Sequence, residues 1–239
     1  MYVIGLDVGT TGCKAAVFDE AGTCFGRSYE EFDIISRRPG WAEQSPQIVM
    51  DAVMRVLGDA AAQAKAGGVQ AREIVALCPS VLGEEIMPVD RQYRPLRDAI
   101  LGMDYRAQAQ TRQLTDAILA QRIFDITGFC PHPMGSLPTI LWMRQKELIA
   151  RTYRYVTFTE YILKRLGAQE GWIDHPQAGR TMAFDIARKD WSDELLRAAG
   201  LDRDLFCKTA VPGQIIGHLS REAAEALGLT QSTALVAGG

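Results

Sequence analysis

The sequence predicts an α/β domain in which three antiparallel strands come first and helices alternate with strands afterwards. Three observations carry this. Two short apolar runs, Tyr2 to Leu6 and Ala15 to Phe18, each end on an acid (Asp7, Asp19) and flank a Gly-Thr-Thr-Gly turn, the pattern of a hairpin. Cys24 to Phe32 adds a third strand after the turn Glu20 to Thr23. A long segment of helical apolar spacing then leads to Glu73 to Cys78, a short apolar run suited to a strand buried on both faces.

The long segment starts with helix-initiating chemistry, because Ser45 can cap it and Pro46 occupies the first turn. Ile48, Val49, Ala52, Val53, Val56, Leu57 and Ala60 mark the face that packs on a sheet, and Gly67-Gly68 is the stop. Pro79 is expected to end the following strand. Ile86 to Val89 contains Pro88, which restricts it to an edge or irregular strand. Ala99 to Gly102 is a further short apolar piece. From Ala107 the pattern is helical: Leu114, Ile118 and Leu119 mark one helix, Ile123, Phe124 and Ile126 a turn after it, and Ser136 to Leu148 another helix. Tyr155 to Thr157 reads as a strand and Thr159 to Leu166 as a helix closed by Gly167. Ser192 with Asp193 and Glu194 opens a short helix that Gly200 closes, and Ser220 to Leu227 with Gly228 repeats the pattern. Thr233 to Ala237 is a last apolar strand.

The 239 residues suffice for one large domain or two small ones, and 47% hydrophobic with 23% charged residues is ordinary for a globular chain. A net charge of -3 without a large basic cluster speaks against a nucleic-acid partner. No run of eighteen apolar residues occurs and Met1 leads directly into a strand, so neither a membrane span nor a signal peptide is expected, and the expected location is the cytoplasm. Five cysteines without a C-x-x-C pair, and histidines dispersed at 132, 175 and 218, speak against zinc. The cysteines are expected to be reduced and mostly buried.

The opening turn has a composition that suits phosphate. Gly9 and Gly12 let the backbone come close, consecutive N–H groups can form an anion-binding nest, and Thr10 and Thr11 add hydroxyl donors. Lys14 offers a positive charge, and Asp7 could hold magnesium through water. An edge hairpin with two solvated threonines and a solvated Lys14 is the alternative reading of the same residues.

Asp7 to Lys14 (DVGTTGCK) resembles the N-terminal phosphate motif of the FGGY carbohydrate kinases, and related hairpins occur across the actin, Hsp70 and hexokinase superfamily. Further segments resemble the FGGY family in order along essentially the whole chain. Pro39 to Gln44 (PGWAEQ) is similar to its P-G-W-x-E-Q segment, and Ala99 to Arg106 (AILGMDYR) to I-L-W-x-D-x-R. Thr127-Gly128 with Pro138 to Trp142 (PTILW) resembles T-G…P-K-L-L-W. Ala183 to Ile186 with Arg188 to Ser192 resembles the L-D-x-x-x-R-D-W-S segment of the xylulokinase-like branch, and Val236 to Gly239 the strand and glycines before the catalytic acid.

The resemblance implies a ribonuclease-H-like domain of the actin/hexokinase/Hsp70 type, with a mixed central sheet opened by the three-stranded hairpin unit and flanked by helices. Residues 1–239 would be the N-terminal, sugar- and phosphate-binding domain of a kinase that moves the γ-phosphate of ATP, with Mg2+, onto a ketose or polyol, a xylulose-like one favoured. Asp7 would organise the magnesium through water, Gly9, Thr10, Thr11 and Gly12 would form the phosphate loop, and Lys14 would face the γ-phosphate. The expected partners are the sugar, the chain's own C-terminal domain, which holds the adenosine, and, as an option, a second copy. The family's catalytic aspartate comes within a few residues of Val236 to Gly239, so the chain is expected to lack its base and to be inactive alone.

The sequence also departs from the family. Where sugar-binding members carry Q-M-H-G or M-R-E, this chain has Pro79 to Glu85 (PSVLGEE). Counted back from Asp90, Gly83 and Glu84 fall on the two sugar-contacting positions. Glu84 could accept hydrogen bonds from sugar hydroxyls, which suits a neutral polyol better than an acid. One of Glu84 and Glu85 is expected to be a solvated loop glutamate. Gly102 stands for the usual tryptophan, Thr139 for the usual lysine, and Met134 where glycerol kinases carry an aromatic contact. Asp104 and Arg106 remain, either as substrate ligands or as an ion pair that orders their loop. Two rival readings are a non-enzymatic nucleotide-binding module of the actin or Hsp70 type and a stand-alone sugar-sensing module.

Overall fold

The computed structural model describes residues 1–146 and 150–238. Strands β1 (Tyr2–Val8), β2 (Gly12–Asp19) and β3 (Cys24–Glu31) form the expected antiparallel unit, with Asp7 opposite Lys14. A two-residue strand β4 (Glu43–Gln44) leads into helix α1 (Pro46–Ala66). Strands β5 (Ile74–Val81), β6 (Met87–Val89) and β7 (Ala99–Ile100) precede helices α2 (Gln108–Ala117), α3 (Ala120–Thr127) and α4 (Ser136–Lys146). Next come β8 (Arg154–Val156), α5 (Phe158–Leu166), β9 (Trp172–Asp174), α6 (His175–Arg180), β10 (Phe184–Asp185), β11 (Asp190–Trp191) and α7 (Asp193–Ala199). The described chain finishes with β12 (Lys208–Ala210), β13 (Ile215–His218), α8 (Arg221–Leu227) and β14 (Ala234–Val236).

Six strands make the central sheet, in the order β13-β14-β5-β1-β2-β3. β1, β5 and β14 are mutually parallel, whereas β2 and β13 run antiparallel to their neighbours. This is the mixed ribonuclease-H-like sheet, opened by an antiparallel unit. Its two faces differ. Ile4, Leu6, Val8, Ala15 and Val17 are buried on the side where α1 crosses β2 and β3. The alternate residues Val3, Gly5 and Lys14 are exposed, and Asp7 and Ala16 are half-buried. The helix comes so close that a Cβ at Gly26 would collide with the Ala60 carbonyl, and the alanines 60, 61 and 64 are what permit the approach. A second apolar cluster joins α2, α3, α4 and α7 around Ile140, Met143, Phe184 and Trp191.

The helix boundaries follow local chemistry. Ser45 caps α1 by accepting from the Ile48 N–H, and Thr157, Ser192 and Ser220 cap α5, α7 and α8. Gly200 and Gly228 end α7 and α8 at φ +62°, a left-handed conformation that costs glycine nothing.

Several expectations are corrected. β5 runs through Pro79 to Val81, because Leu82 N–H donates to Val8 O and by alternation the Pro79 nitrogen faces away from β1. β14 pairs only with Ala76 and Leu77, so proline loses no ladder bond there. β5 is not buried on both faces: Val75, Ala76 and Cys78 are half-buried and Ser80 is exposed. Ile48 leaves the apolar stripe of α1 and is 52% exposed. Ile118 and Leu119 lie between α2 and α3, and Ile123 to Ile126 belong to a helix rather than a turn. Leu148, placed in the helix after Ser136, lies outside the described residues. The short strands β9 to β12 and the sheet-edge strand β13 carry no alternation that announced them. The cysteines are free, but only Cys13 and Cys207 are buried, while Cys24 and Cys130 are exposed. Among the described residues no helix is long and apolar enough to cross a membrane.

Candidate active site

Because β1, β5 and β14 are parallel, their C-terminal ends emerge along one edge of the sheet, the position where open α/β sheets bind ligands. That edge carries the hairpin tip Gly9–Thr11, the loop Leu82–Glu85 and Gly238. The open face beneath it borders a cavity of about 1130 Å3 lined by Asp7, Lys14, Ala16, Cys78, Ser80 and Gly238, among others. A Cβ at Gly238 would overlap the Pro79 carbonyl, so glycine is required where β14 ends against β5.

The hairpin tip is braced from three sides. Gly9 N–H donates to Gly12 O at 2.9 Å, Phe32 N–H to Thr11 O at 3.1 Å, and the Gln44 amide to Thr10 O. The N–H and hydroxyl groups of Thr10 and Thr11 make no hydrogen bond among the described residues, and Thr11 is exposed. The tip thus offers free donors, but not as an αR–αL nest: no residue from 9 to 12 has a positive φ. The two glycines also differ from the expectation. A Cβ at Gly12 would lie 2.6 Å from Glu30 O, so Gly12 serves the approach of β3, whereas Gly9 has only an ordinary 3.5 Å neighbour.

Lys14 Nζ is 2.9 Å from Asp7 Oδ2, with both side chains half or more exposed, and this pairing raises the Lys14 pKa. Among the described residues Asp7 is the only carboxylate lining that cavity, and no group of three metal-ligating side chains occurs. A single carboxylate fits an ion that keeps its waters and is shared with phosphate; it does not fit a protein-built cage.

The loop after β5 departs from its expected character. Glu85 is completely buried; its Oε1 accepts from Phe158 N–H at 2.6 Å, its Oε2 has no partner, and burial pushes its carboxyl well up. Glu84 is also not simply solvated. Its side chain is 14% exposed and ion-paired with Arg180, and its carbonyl accepts from Ser136 Oγ at 3.1 Å. Gly83 lies against Arg180 and Gln177.

Asp104 and Arg106 form a closed unit. Asp104 accepts from Ala42 N–H and from the Arg106 backbone N–H, Nε and Nη2 at 2.6–2.9 Å. Arg106 Nη1 reaches Glu43 at 2.8 Å, where Arg37 and Arg97 also converge. The Arg106 guanidinium lies 3.6 Å from the centre of the Trp41 ring and 5.0 Å from that of Trp142, and its side chain is 1% exposed. Of the two readings of this pair, the geometry supports the one in which it orders its loop.

A sequence model for the N-terminal domain of the FGGY family of carbohydrate kinases matches residues 2–239. The chain belongs to the FGGY family. A xylulose kinase from Klebsiella pneumoniae is 30% identical over the whole chain, which covers 48% of that protein. A gluconokinase from Bacillus subtilis (strain 168) is 27% identical over 99% of the chain, which covers 45% of it. The solved structure of a xylulose kinase from Rhodospirillum rubrum superposes over the whole chain with a TM-score of 0.93 at 21% identity, covering 49% of that protein, and this supports the fold. The chain spans about half the length of the curated relatives it matches. Arg180, Gln177 and Gln44 were not singled out as FGGY site residues from sequence. Arg180 and Glu84 are 96 positions apart, and nothing local to either announces the other.

Proposed function

We propose that this chain is the sugar- and phosphate-binding half of an ATP-dependent kinase acting on a neutral ketose or polyol, a xylulose-like one favoured. The observation that carries this reading is the convergence, on one sheet edge, of free donors at Thr10 and Thr11, the Asp7 carboxylate and the Glu84 loop. Phosphoryl transfer asks a protein for position and charge stabilisation more than for covalent help. The N–H and hydroxyl groups of Thr10 and Thr11 hold phosphate oxygens, with Gly9 leaving the approach open and Gly12 keeping the hairpin flush with β3. Lys14 exchanges its Asp7 partner for the γ-phosphate. Asp7 would hold Mg2+, and the ion would neutralise charge on the phosphates. Glu84 accepts from a sugar hydroxyl, and Asp104 with Arg106 orders the loop whose Gly102 packs against Glu84. The adenosine site and the aspartate that takes the hydroxyl proton belong to the second half of the polypeptide.

The test uses the full-length protein with ATP, Mg2+ and a panel of ketoses, polyols and gluconate, with ADP formation as readout. A neutral ketose or polyol is the expected acceptor; no ADP above background with any of them overturns the reading. In that protein Asp7→Asn lowers kcat by about two orders of magnitude, the scale of losing one preorganised charge contact, while sugar affinity is unchanged. Unaltered turnover removes Asp7 from the metal role.

A further inference from the structure

Two glycines admit two charged side chains to the loop after β5. A Cβ at Gly83 would lie 3.0 Å from Arg180 Cγ and 3.1 Å from Gln177 Oε1; a Cβ at Gly102 would lie 2.7 Å from Glu84 Cβ. Any other residue at 83 would press on the arginine stem, and any at 102 would displace the glutamate. With both positions bare, Arg180 from the end of α6 and Glu84 meet in an ion pair. The guanidinium also lies 5.2 Å from the centre of the Phe129 ring. The pair sits at the rim, with Arg180 48% and Glu84 14% exposed, unlike the sealed Arg106.

Beside it stands an unsatisfied acceptor. Gln177 is 4% exposed, its amide nitrogen donates to Val81 O, and its Oε1, turned toward Gly83, has no partner. A buried amide oxygen without a donor is costly unless something supplies one. Glu84 Oε2 likewise accepts no hydrogen bond among the described residues. The cluster therefore holds unused acceptor capacity, the Gln177 oxygen buried behind Gly83, next to a partly exposed guanidinium donor. Adjacent hydroxyls match this set, since each can donate to an oxygen while accepting from the guanidinium. A carboxylate matches it poorly, having no proton for Gln177 and meeting the charge of Glu84.

We propose that Arg180, supported by Gln177, is the specificity-determining residue for the acceptor substrate, reading neighbouring hydroxyls of a neutral ketose or polyol jointly with Glu84. This rests on the reading of the chain as the sugar-binding half of a kinase.

The test measures KM and kcat of the full-length protein for a ketose, a polyol, an aldonate such as gluconate, and ATP, comparing wild type with Arg180→Met, Gly83→Ala and Glu84→Gln. Arg180→Met raises the KM for the neutral acceptor roughly ten- to hundredfold, as expected for losing hydrogen bonds from a charged group, and leaves the KM for ATP and the unfolding midpoint unchanged. Gly83→Ala acts in the same direction by displacing Arg180. Glu84→Gln frees the guanidinium and shifts the preference ratio toward the aldonate. An acceptor KM within twofold of wild type in Arg180→Met, or a preference ratio unmoved by Glu84→Gln, overturns the proposal while leaving the kinase reading intact. Should the wild type transfer no phosphate at all, the kinase reading falls separately. Arg180 is then judged by the shift in unfolding midpoint on adding the same ketose, and equal shifts for wild type and Arg180→Met overturn its role.

Discussion

Two arginine–carboxylate constellations flank Gly102, and they are built in opposite ways. On one side Arg106 is sealed between Trp41 and Trp142, and its Nε, Nη1 and Nη2 all meet carboxylate oxygens. On the other, Arg180 meets Glu84 at the rim, half open to solvent, with the unpartnered Gln177 oxygen beside it. Both pairs look alike as residue types. What separates them is whether hydrogen-bonding capacity is left over. A saturated, buried pair can order a loop but has nothing to offer a ligand, and an open pair can bind but contributes little to stability, because water screens it.

The largest effect expected from this contrast is on the sealed side. Arg106→Met leaves Asp104 buried with only backbone donors and removes one of the cations at Glu43; it should destabilise the domain by about 3–5 kcal/mol in denaturant unfolding. A loss below ~1 kcal/mol would show that this network is no more structural than the Arg180 pair. The hairpin glycines repeat the contrast on a smaller scale. Gly12→Ala forces a methyl onto the Glu30 carbonyl and should cost ~1–3 kcal/mol, whereas Gly9→Ala, whose methyl would meet only an ordinary van der Waals contact, should stay within ~0.5 kcal/mol. Equal costs would mean that both positions are set by packing.

The contrast between sealed and open carboxylates also predicts a pH dependence. Glu160 at the start of α5 is fully buried, and burial pushes its carboxyl up to about 7 against an ordinary value of 4.5, even though Thr157 donates to it. Glu85 and Asp174 are raised by the same cause. Between about pH 4.5 and 7 the folded state holds a proton on Glu160 that the unfolded chain has released. Its contribution is therefore full below the unfolded value and is lost as pH rises through about 7. Unfolding midpoints measured across that window should decline for the wild type, and Glu160→Gln, which can still close the capping box, should flatten part of the decline. An identical slope in the variant would remove Glu160 as its source.

Much of this was legible in the residues themselves. The hairpin, the Ser45–Pro46 start and Gly67 stop of α1, and the serine-to-glycine spans of α7 and α8 follow from turn and cap chemistry acting within a few positions. The ordered FGGY-like segments identified the family, and the motif from Asp7 to Lys14 was the first of them. Illegible were the features made by distant chain. Proline inside β5 is tolerated only because β14 stops pairing at Leu77, and β13 is a strand only because β14 lies beside it.

The same boundary runs through the site. Sequence by itself determined which residues could form a phosphate turn and that Gly83, Glu84 and Gly102 depart from the family pattern, because composition and local backbone preference act over short range. Only the tertiary structure decided that Gly12 serves β3, that Asp104 and Arg106 are closed off, and that Glu84 meets Arg180. Each of those outcomes depends on which distant group fills the remaining space and uses the remaining hydrogen-bond capacity, and neither quantity is encoded at a single position.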